Sequence, residues 1–334
     1  MILHWVVFFL SAAGIIAAGI RLAPYGEALG SRTGIGQGWI GLLFLATLTS
    51  IPELTTTVSG ATLDVPNIAM GNAFGSNLFN VVIIAVMDIM LLGRGPFLLK
   101  ARGYHTLSGA MAVLLTLFAM LGLVLSPRGT FLGISPVSWL ILVGYVVGVF
   151  LLFHAERHET MEEEAVAEAA TLSLRAAVLG FVICGAVIIV SGIFLIRASK
   201  AIALSSGLSA SFMGAILVAI VTSLPELATS IGALRIGAYD MIVGNLFGSN
   251  MFNILTIFFA DAAYRRGAIF ANLRGGETDQ AVVAICGVLL TLVAMVSLVA
   301  RCRRRIFGVG LDAVTLLLFY FGATALIVSR GIQF

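Results

Sequence analysis

The chain has 334 residues, 60% of them hydrophobic and 10% charged, with 19 Lys or Arg against 16 Asp or Glu and a mean hydropathy of +1.10. Soluble domains carry about 25% charged residues, so this composition excludes a soluble globule and points to a polytopic helical membrane protein. The net charge of +3 comes with no stripe of basic and aromatic residues, so nothing indicates nucleic-acid binding.

Ten apolar runs are long enough to cross about 30 Å of hydrocarbon: residues 2–20, 36–63, 66–92, 104–125, 134–153, 172–196, 209–234, 241–260, 281–300 and 309–328. The first lacks a basic leader and has the sixth as its counterpart, so it reads as a retained helix and not a cleaved signal. With the N-terminus outside, twelve of the nineteen Lys and Arg residues fall in inner loops, Arg301, Arg303, Arg304 and Arg305 foremost. The expected location is the plasma membrane of the cell. Cys184, Cys286 and Cys302 are widely spaced, match no metal-ligand pattern and read as reduced structural residues.

The second span carries Thr49-Ser50-Ile51-Pro52-Glu53 and the third Gly71-Asn72-x-x-Gly75-Ser76-Asn77-x-x-Asn80. Both strings return 173 positions later, as Thr222-Ser223-Leu224-Pro225-Glu226 and Gly244-Asn245-x-x-Gly248-Ser249-Asn250-x-x-Asn253. An ungapped overlay of 49–80 on 222–253 gives fourteen identities, with Asp88 and Asp261 a further one beyond, which indicates internal duplication. Each half has five spans, an odd number, so the halves enter the membrane in opposite senses. The expected fold is therefore an all-α polytopic membrane protein, ten transmembrane helices as two inverted five-helix repeats with broken helices at a midplane site. The expected units are residues 1–153, with its repeat motif at about 40–90, and 172–334, with its motif at about 213–262. Residues 154–171 form an acidic cytoplasmic linker in which His154 and His158 sit one turn apart. A solvated helical linker is the plainer reading there, with a regulatory metal site as the other.

Proline removes a backbone donor and crowds the carbonyl one turn earlier, so Pro52 and Pro225 should break the second and seventh spans. Carbonyls freed near Ala46 and Ala219 would then line a cavity, the only setting in which irregular backbone is tolerated at this depth. Thr49, Ser50, Thr222 and Ser223 stand beside those breaks. On the following helix Asn72, Ser76 and Asn80 fall at i, i+4 and i+8, and Asn245, Ser249 and Asn253 repeat that polar stripe. Together with Glu53 and Glu226 they form a cage of carboxylate, hydroxyl, amide and carbonyl oxygens. Hard ligands of this kind suit Ca²⁺, Na⁺ or Mg²⁺. A carboxylate at the bilayer centre costs at least about 2.5 kcal/mol, and neither motif contains Lys or Arg, so a cation or protons must balance the two glutamates. The glycines of the motif read as close-packing positions. Asn72, Asn77, Asn245 and Asn250 either join the cage or hydrogen-bond helix ends, and Thr56, Thr229 and Ser230 either line an access path or bond back to the backbone.

These motifs resemble the α-repeats of the cation/Ca²⁺ exchanger superfamily, and Gly-Ser-Asn resembles its prokaryotic Na⁺/Ca²⁺ branch more than its H⁺/Ca²⁺ branch. The resemblance implies a secondary active antiporter exchanging Ca²⁺ for Na⁺ by alternating access, with the first and sixth spans sliding over a fixed remainder. It implies Glu53 and Glu226 as the central Ca²⁺ carboxylates, Asn80 and Asn253 in the remaining central positions, and Ser50 and Ser223 bordering them. One flanking Na⁺ site would comprise Thr49, the Ala46 carbonyl and Ser76, and the other Thr222, the Ala219 carbonyl and Ser249. The sequence departs from the family pattern in having Asn at both central positions, and Leu48 and Val221 where a leading Gly is usual. No cofactor beyond the transported ions, no enzymatic activity and no obligate protein partner is implied, the partners being lipid and inorganic cations. H⁺/Ca²⁺ exchange, transport of another divalent cation and a passive channel are the competing readings. An intramembrane hydrolase lacks any supporting Ser–His pairing or zinc motif.

Overall fold

A computed structural model of the protein describes residues 2–92, 94–160, 172–206, 219–273, 277–301 and 303–329. The spans are helices or broken helices: Ile2–Thr33, Gln37–Thr49 with Ile51–Thr62, Pro66–Met90, His105–Leu125, Pro136–Thr160, Leu174–Ser206, Ala219–Thr222 with Leu224–Arg235, Tyr239–Ala263, Glu277–Ala300 and Leu311–Ser329. The protein is a nearly all-helical, multi-pass membrane protein built as two inverted five-helix repeats.

The first and sixth helices run well past their apolar windows, and the 32 residues of the first make it about 48 Å long. Hydropathy ends those windows at Arg21 and Arg197, both exposed, but arginine is a good helix former and the backbone continues. His154 likewise belongs to the fifth helix, its Nδ1 2.9 Å from the Phe150 carbonyl, while linker residues 161–171 lie outside the described residues. Cys184 and Cys286 are buried and unbridged, and Cys302 lies outside the described residues.

The second and seventh spans break where the prolines direct. Ser50 and Ser223 adopt nearly the same backbone, φ/ψ of −89°/10° and −87°/10°, and Pro52 and Pro225 sit in the first turn of the next helix, where the missing N–H is harmless. The second span bends by 45° at that point. One expectation needs correction. The Ala46 carbonyl is not released, since it accepts the Ser50 N–H at 3.0 Å and the Thr49 hydroxyl at 3.4 Å. Proline removes the donor for the carbonyl four residues before it, and that is Leu48. Just ahead of the break, Ile40–Leu45 is wound as a π-helix, a local irregularity that often accompanies functional sites.

The third and eighth helices form the centre, with 78% and 89% of their apolar windows buried against 33% for the first helix. Glycine lets the second and eighth spans meet backbone to backbone: a Cβ on Gly244 would collide with the Gly38 carbonyl, and one on Gly248 with the Leu42 carbonyl. At the end of each central helix an aspartate ties two neighbours. Asp88 accepts the Phe97 N–H at 2.5 Å and the Gly310 N–H at 2.7 Å, joining the third span to the loop after it and to the start of the tenth. Asp261 accepts the Ile269 N–H at 2.7 Å, the Ser135 N–H at 2.7 Å and the Ser138 hydroxyl at 2.6 Å, joining the eighth span to the loop after it and to the start of the fifth. The turns leading to the fifth and tenth helices match in detail, with Leu132 and Phe307 at φ 54° and 52° followed by Gly133 and Gly308 at φ 80° and 86°.

Candidate cation-binding site

Glu53 and Glu226 are both completely buried, one just past each break. Each is served by the opposite repeat. Ser50 Oγ donates to Glu226 Oε1 at 3.0 Å and Ser223 Oγ to Glu53 Oε1 at 3.4 Å. Ser249 Oγ adds a 3.3 Å bond to Glu226, and Thr49 and Thr222 also face Glu226 and Glu53 respectively. Among the described residues no basic side chain pairs with either glutamate, the ion pairs there being Arg102 and His105 with Asp240, and Arg266 with Asp64.

The asparagines follow from a chain of donor and acceptor constraints. Asn77 Nδ2 donates to the Asn250 carbonyl at 3.1 Å, and Asn250 Nδ2 to the Asn77 carbonyl at 3.4 Å, a reciprocal brace between the third and eighth helices. Carbonyls only accept, so the amide nitrogens must lie there and the amide oxygens point the other way. Those oxygens accept from Asn80 Nδ2 and Asn253 Nδ2, each at 3.1 Å. Asn80 and Asn253 are thereby obliged to turn their own oxygens outward from the brace. The result is a set of four buried oxygens that have no partner among the described residues: Glu53 Oε2, Glu226 Oε2, Asn80 Oδ1 and Asn253 Oδ1. Buried polar atoms are seldom left unpaired. Two anionic and two neutral hard oxygens arranged about a pseudo-two-fold form a donor set that matches an alkali or alkaline-earth cation.

The side chains expected to line the cage, Thr49, Ser50, Glu53, Ser76, Asn80, Thr222, Ser223, Glu226, Ser249 and Asn253, are all buried at 0% exposure, and Ala46 is buried equally. Ala219 opens the described part of the seventh span. Within the flanking groups, Ser76 Oγ stands 3.5 Å from Thr222 Oγ1 of the other repeat, and Thr49 Oγ1 stands 3.4 Å from Asn245 Oδ1, so the third and eighth helices each reach the break of the opposite repeat. Asn77 and Asn250, left undecided between cage and helix end, do neither: they brace mid-helix and orient the residues three positions on. Their shared spacing to Asn80 and Asn253 was visible in the sequence, but their mutual contact was not. Asn72 Nδ2 donates to the Glu53 carbonyl at 3.1 Å and to Thr57 at 2.9 Å, and Asn245 Nδ2 to Thr229 at 3.1 Å, so this pair fastens the broken span to the helix behind it. Thr229 bonds back to the Pro225 and Glu226 carbonyls, whereas the buried hydroxyls of Thr56 and Ser230 have no partner.

A family model described as sodium/calcium exchanger protein matches residues 3–154 and 176–329. The membrane protein MJ0091 of Methanocaldococcus jannaschii is 26% identical over 311 residues, covering 88% of this chain and 93% of its own length. The inner membrane protein YrbG of Escherichia coli is 28% identical over 278 residues, covering 80% and 82%, and the sodium/calcium exchanger MaX1 of Methanosarcina acetivorans 22% identical over 292 residues, covering 76% and 81%. Among solved structures, the sodium-calcium exchanger NCX_Mj soaked with Na⁺ and Sr²⁺ superposes with a TM-score of 0.69 at 20% identity over 97% of this chain and 98% of that one, which establishes a common fold.

Proposed function

Because the chain belongs to the sodium/calcium exchanger family, and so to membrane transporters that exchange cations, we propose that it is a secondary active antiporter trading Ca²⁺ for Na⁺ through alternating access. The observation that carries this reading is the set of four buried oxygens on Glu53, Glu226, Asn80 and Asn253 that, among the described residues, have no partner and no basic side chain to balance the two acids. One Ca²⁺ there neutralises both carboxylates and supplies every missing partner at once. Na⁺ ions use the same carboxylates from either side, one beside Ser76, Thr222 and Ser223 and the other beside Thr49, Ser50 and Ser249. Glutamate oxygens shared between centre and flanks make occupancy by the two ions mutually exclusive. An empty cage keeps two uncompensated charges at the bilayer centre and resists the switch, whereas either loaded form is close to neutral. Exchange therefore needs no chemical step.

Within the two repeats, residues 1–153 and 172–334, the long first and sixth helices pack on each other and on the second and seventh spans, and they slide together over the fixed remainder. The N-terminus lies outside a plasma membrane, the acidic linker is cytoplasmic, and a single chain in lipid suffices. Proton coupling is the second reading, favoured by the presence of only two acids in the cage. The test is ⁴⁵Ca²⁺ uptake into proteoliposomes under an imposed Na⁺ gradient and, separately, a pH gradient. Uptake driven by Na⁺ and lost in Glu53→Gln and Glu226→Gln is expected. Uptake driven by pH and indifferent to Na⁺ would replace Na⁺ with H⁺, and flux that needs no counter-gradient and survives both substitutions would remove the exchanger reading altogether.

A further inference from the structure

The two aspartate clasps at the ends of the central helices are related by the repeat but are not equally supplied. Asp261 receives three donors, from Ile269 N–H, Ser135 N–H and the Ser138 hydroxyl. Asp88 receives the two backbone equivalents, from Phe97 and Gly310. With a shift of 175 residues Gly310 takes the place of Ser135 and Ala313 that of Ser138, so the hydroxyl donor is gone. In its stead a second acid enters. Asp312 is 8% exposed and Asp88 4%, and Asp312 Oδ1 has no partner. A Cβ on Gly310 would overlap Asp312 Oδ1 and lie 3.2 Å from both Asp88 oxygens, so the two carboxyls share the space that the glycine leaves open.

We propose that Asp312 and Asp88 form a proton-binding pair, in which a proton on Asp312 supplies the third hydrogen bond that Asp88 lacks and fastens the start of the tenth span to the third. Two ionised carboxylates bordering one buried space repel, whereas one shared proton makes a short, charge-assisted bond. The surroundings favour a proton over a metal ion. The groups directed at the pair are N–H donors, from Phe97, Gly310 and Ala313, which repel a cation. The basic residues of the adjoining segments are Arg94, Lys100, Arg301, Arg303, Arg304 and Arg305. Arg301 donates to the Leu99 carbonyl at 3.1 Å, Lys100 sits over the Tyr239 ring at 5.1 Å, and Arg305 lies beside Gly95. Among the described residues none of them forms an ion pair with Asp88 or Asp312. The helix fastened in this way carries Ser76, Asn77 and Asn80, so the proton supports the cation cage from one end of the molecule.

A proton that Asp312 keeps in this arrangement and releases on unfolding makes stability fall as pH rises, until the native proton too is lost. In an E53Q/E226Q background, which silences the cage carboxylates, the melting temperature of the lipid-reconstituted protein should fall by roughly 2 °C per pH unit across part of the range from 5 to 9. Asp312→Asn, whose amide donates to Asp88 at any pH, should remove that slope. Equal slopes with and without the substitution would overturn the proposal, as would a Na⁺- or Ca²⁺-dependent rise in melting temperature that disappears with Asp312→Asn. A second measurement needs no variant: a membrane-permeant carbodiimide, which reacts with protonated buried carboxyls, should modify Asp312 in preference to Asp261 and progressively less as pH is raised, as read by peptide mass spectrometry. An Asp312 that stays unmodified at every pH while Asp261 reacts reverses the assignment.

Discussion

Glu53 and Glu226 each contribute one charge to a cage that has no other. Hydrogen bonds to charged groups contribute about 1.5–3 kcal/mol, and 1.4 kcal/mol is a factor of ten in affinity. Replacing either by Gln should weaken Ca²⁺ binding by about 100-fold, measured by isothermal titration of the purified protein, and equal affinity for wild type and variant would remove that glutamate from the cage. Ser50→Ala takes one donor from Glu226 and should cost about tenfold. Asn77 touches no ion in this scheme, and its substitution by Leu should nonetheless weaken Ca²⁺ binding. It strands the Asn250 carbonyl and the Asn253 amide and frees the Asn253 oxygen from its aim. Unchanged Ca²⁺ affinity in Asn77→Leu would show that the brace does not orient the cage. Glutamates and hydroxyls were legible in the sequence because an acid in an apolar helix is conspicuous. The brace was not, since an amide bonded across the pseudo-two-fold looks the same in sequence as one bonded along its own helix.

At the scale of the helix, proline and glycine do separate tasks. Pro52 and Pro225 cannot extend the helices that precede them, and the chain turns at Ser50 and Ser223 with the same dihedral angles. Pro225→Ala restores an N–H and permits a straight seventh span, so uptake should drop sharply while the protein still folds, checked by transport assay beside circular dichroism. Gly248 allows the eighth helix to lie on the Leu42 carbonyl. Gly248→Ala should destabilise by about 1–3 kcal/mol through overpacking, whereas Gly322→Ala, with open space around it, should be neutral. Equal melting temperatures for the two variants would contradict the close approach. Breaks and packing glycines were readable because both rest on local backbone chemistry. The π-helical turn at Ile40–Leu45 and the hairpin Arg305–Ile306 with Val309–Gly310 were not, because each is too short to show a period.

For the whole molecule, inverted topology follows from two related halves with an odd number of spans each. In a background with Cys184, Cys286 and Cys302 replaced, a cysteine introduced at Gly129 should react with a membrane-impermeant maleimide on intact cells and one at Arg304 should not, and the opposite pattern would reverse the orientation. The repeat also runs further than the 173-residue register suggests. Val113-Leu114-Leu115-Thr116-Leu117-x-Ala119-Met120 returns as Val288-Leu289-Leu290-Thr291-Leu292-x-Ala294-Met295 at 175, and the matched turns before the fifth and tenth helices follow that shift. By itself the sequence determined that the chain spans a membrane, that its halves are related, where two helices break and which oxygens stand at the breaks, because hydropathy, duplication and proline act within a few residues of chain. Only the tertiary structure decided which oxygens meet: Ser50 with Glu226, Ser223 with Glu53, Ser76 with Thr222, Asn77 with Asn250. Those contacts join residues about 150–180 positions apart, and the inversion that creates them exchanges partners between the repeats, which no pattern along one strand of sequence records.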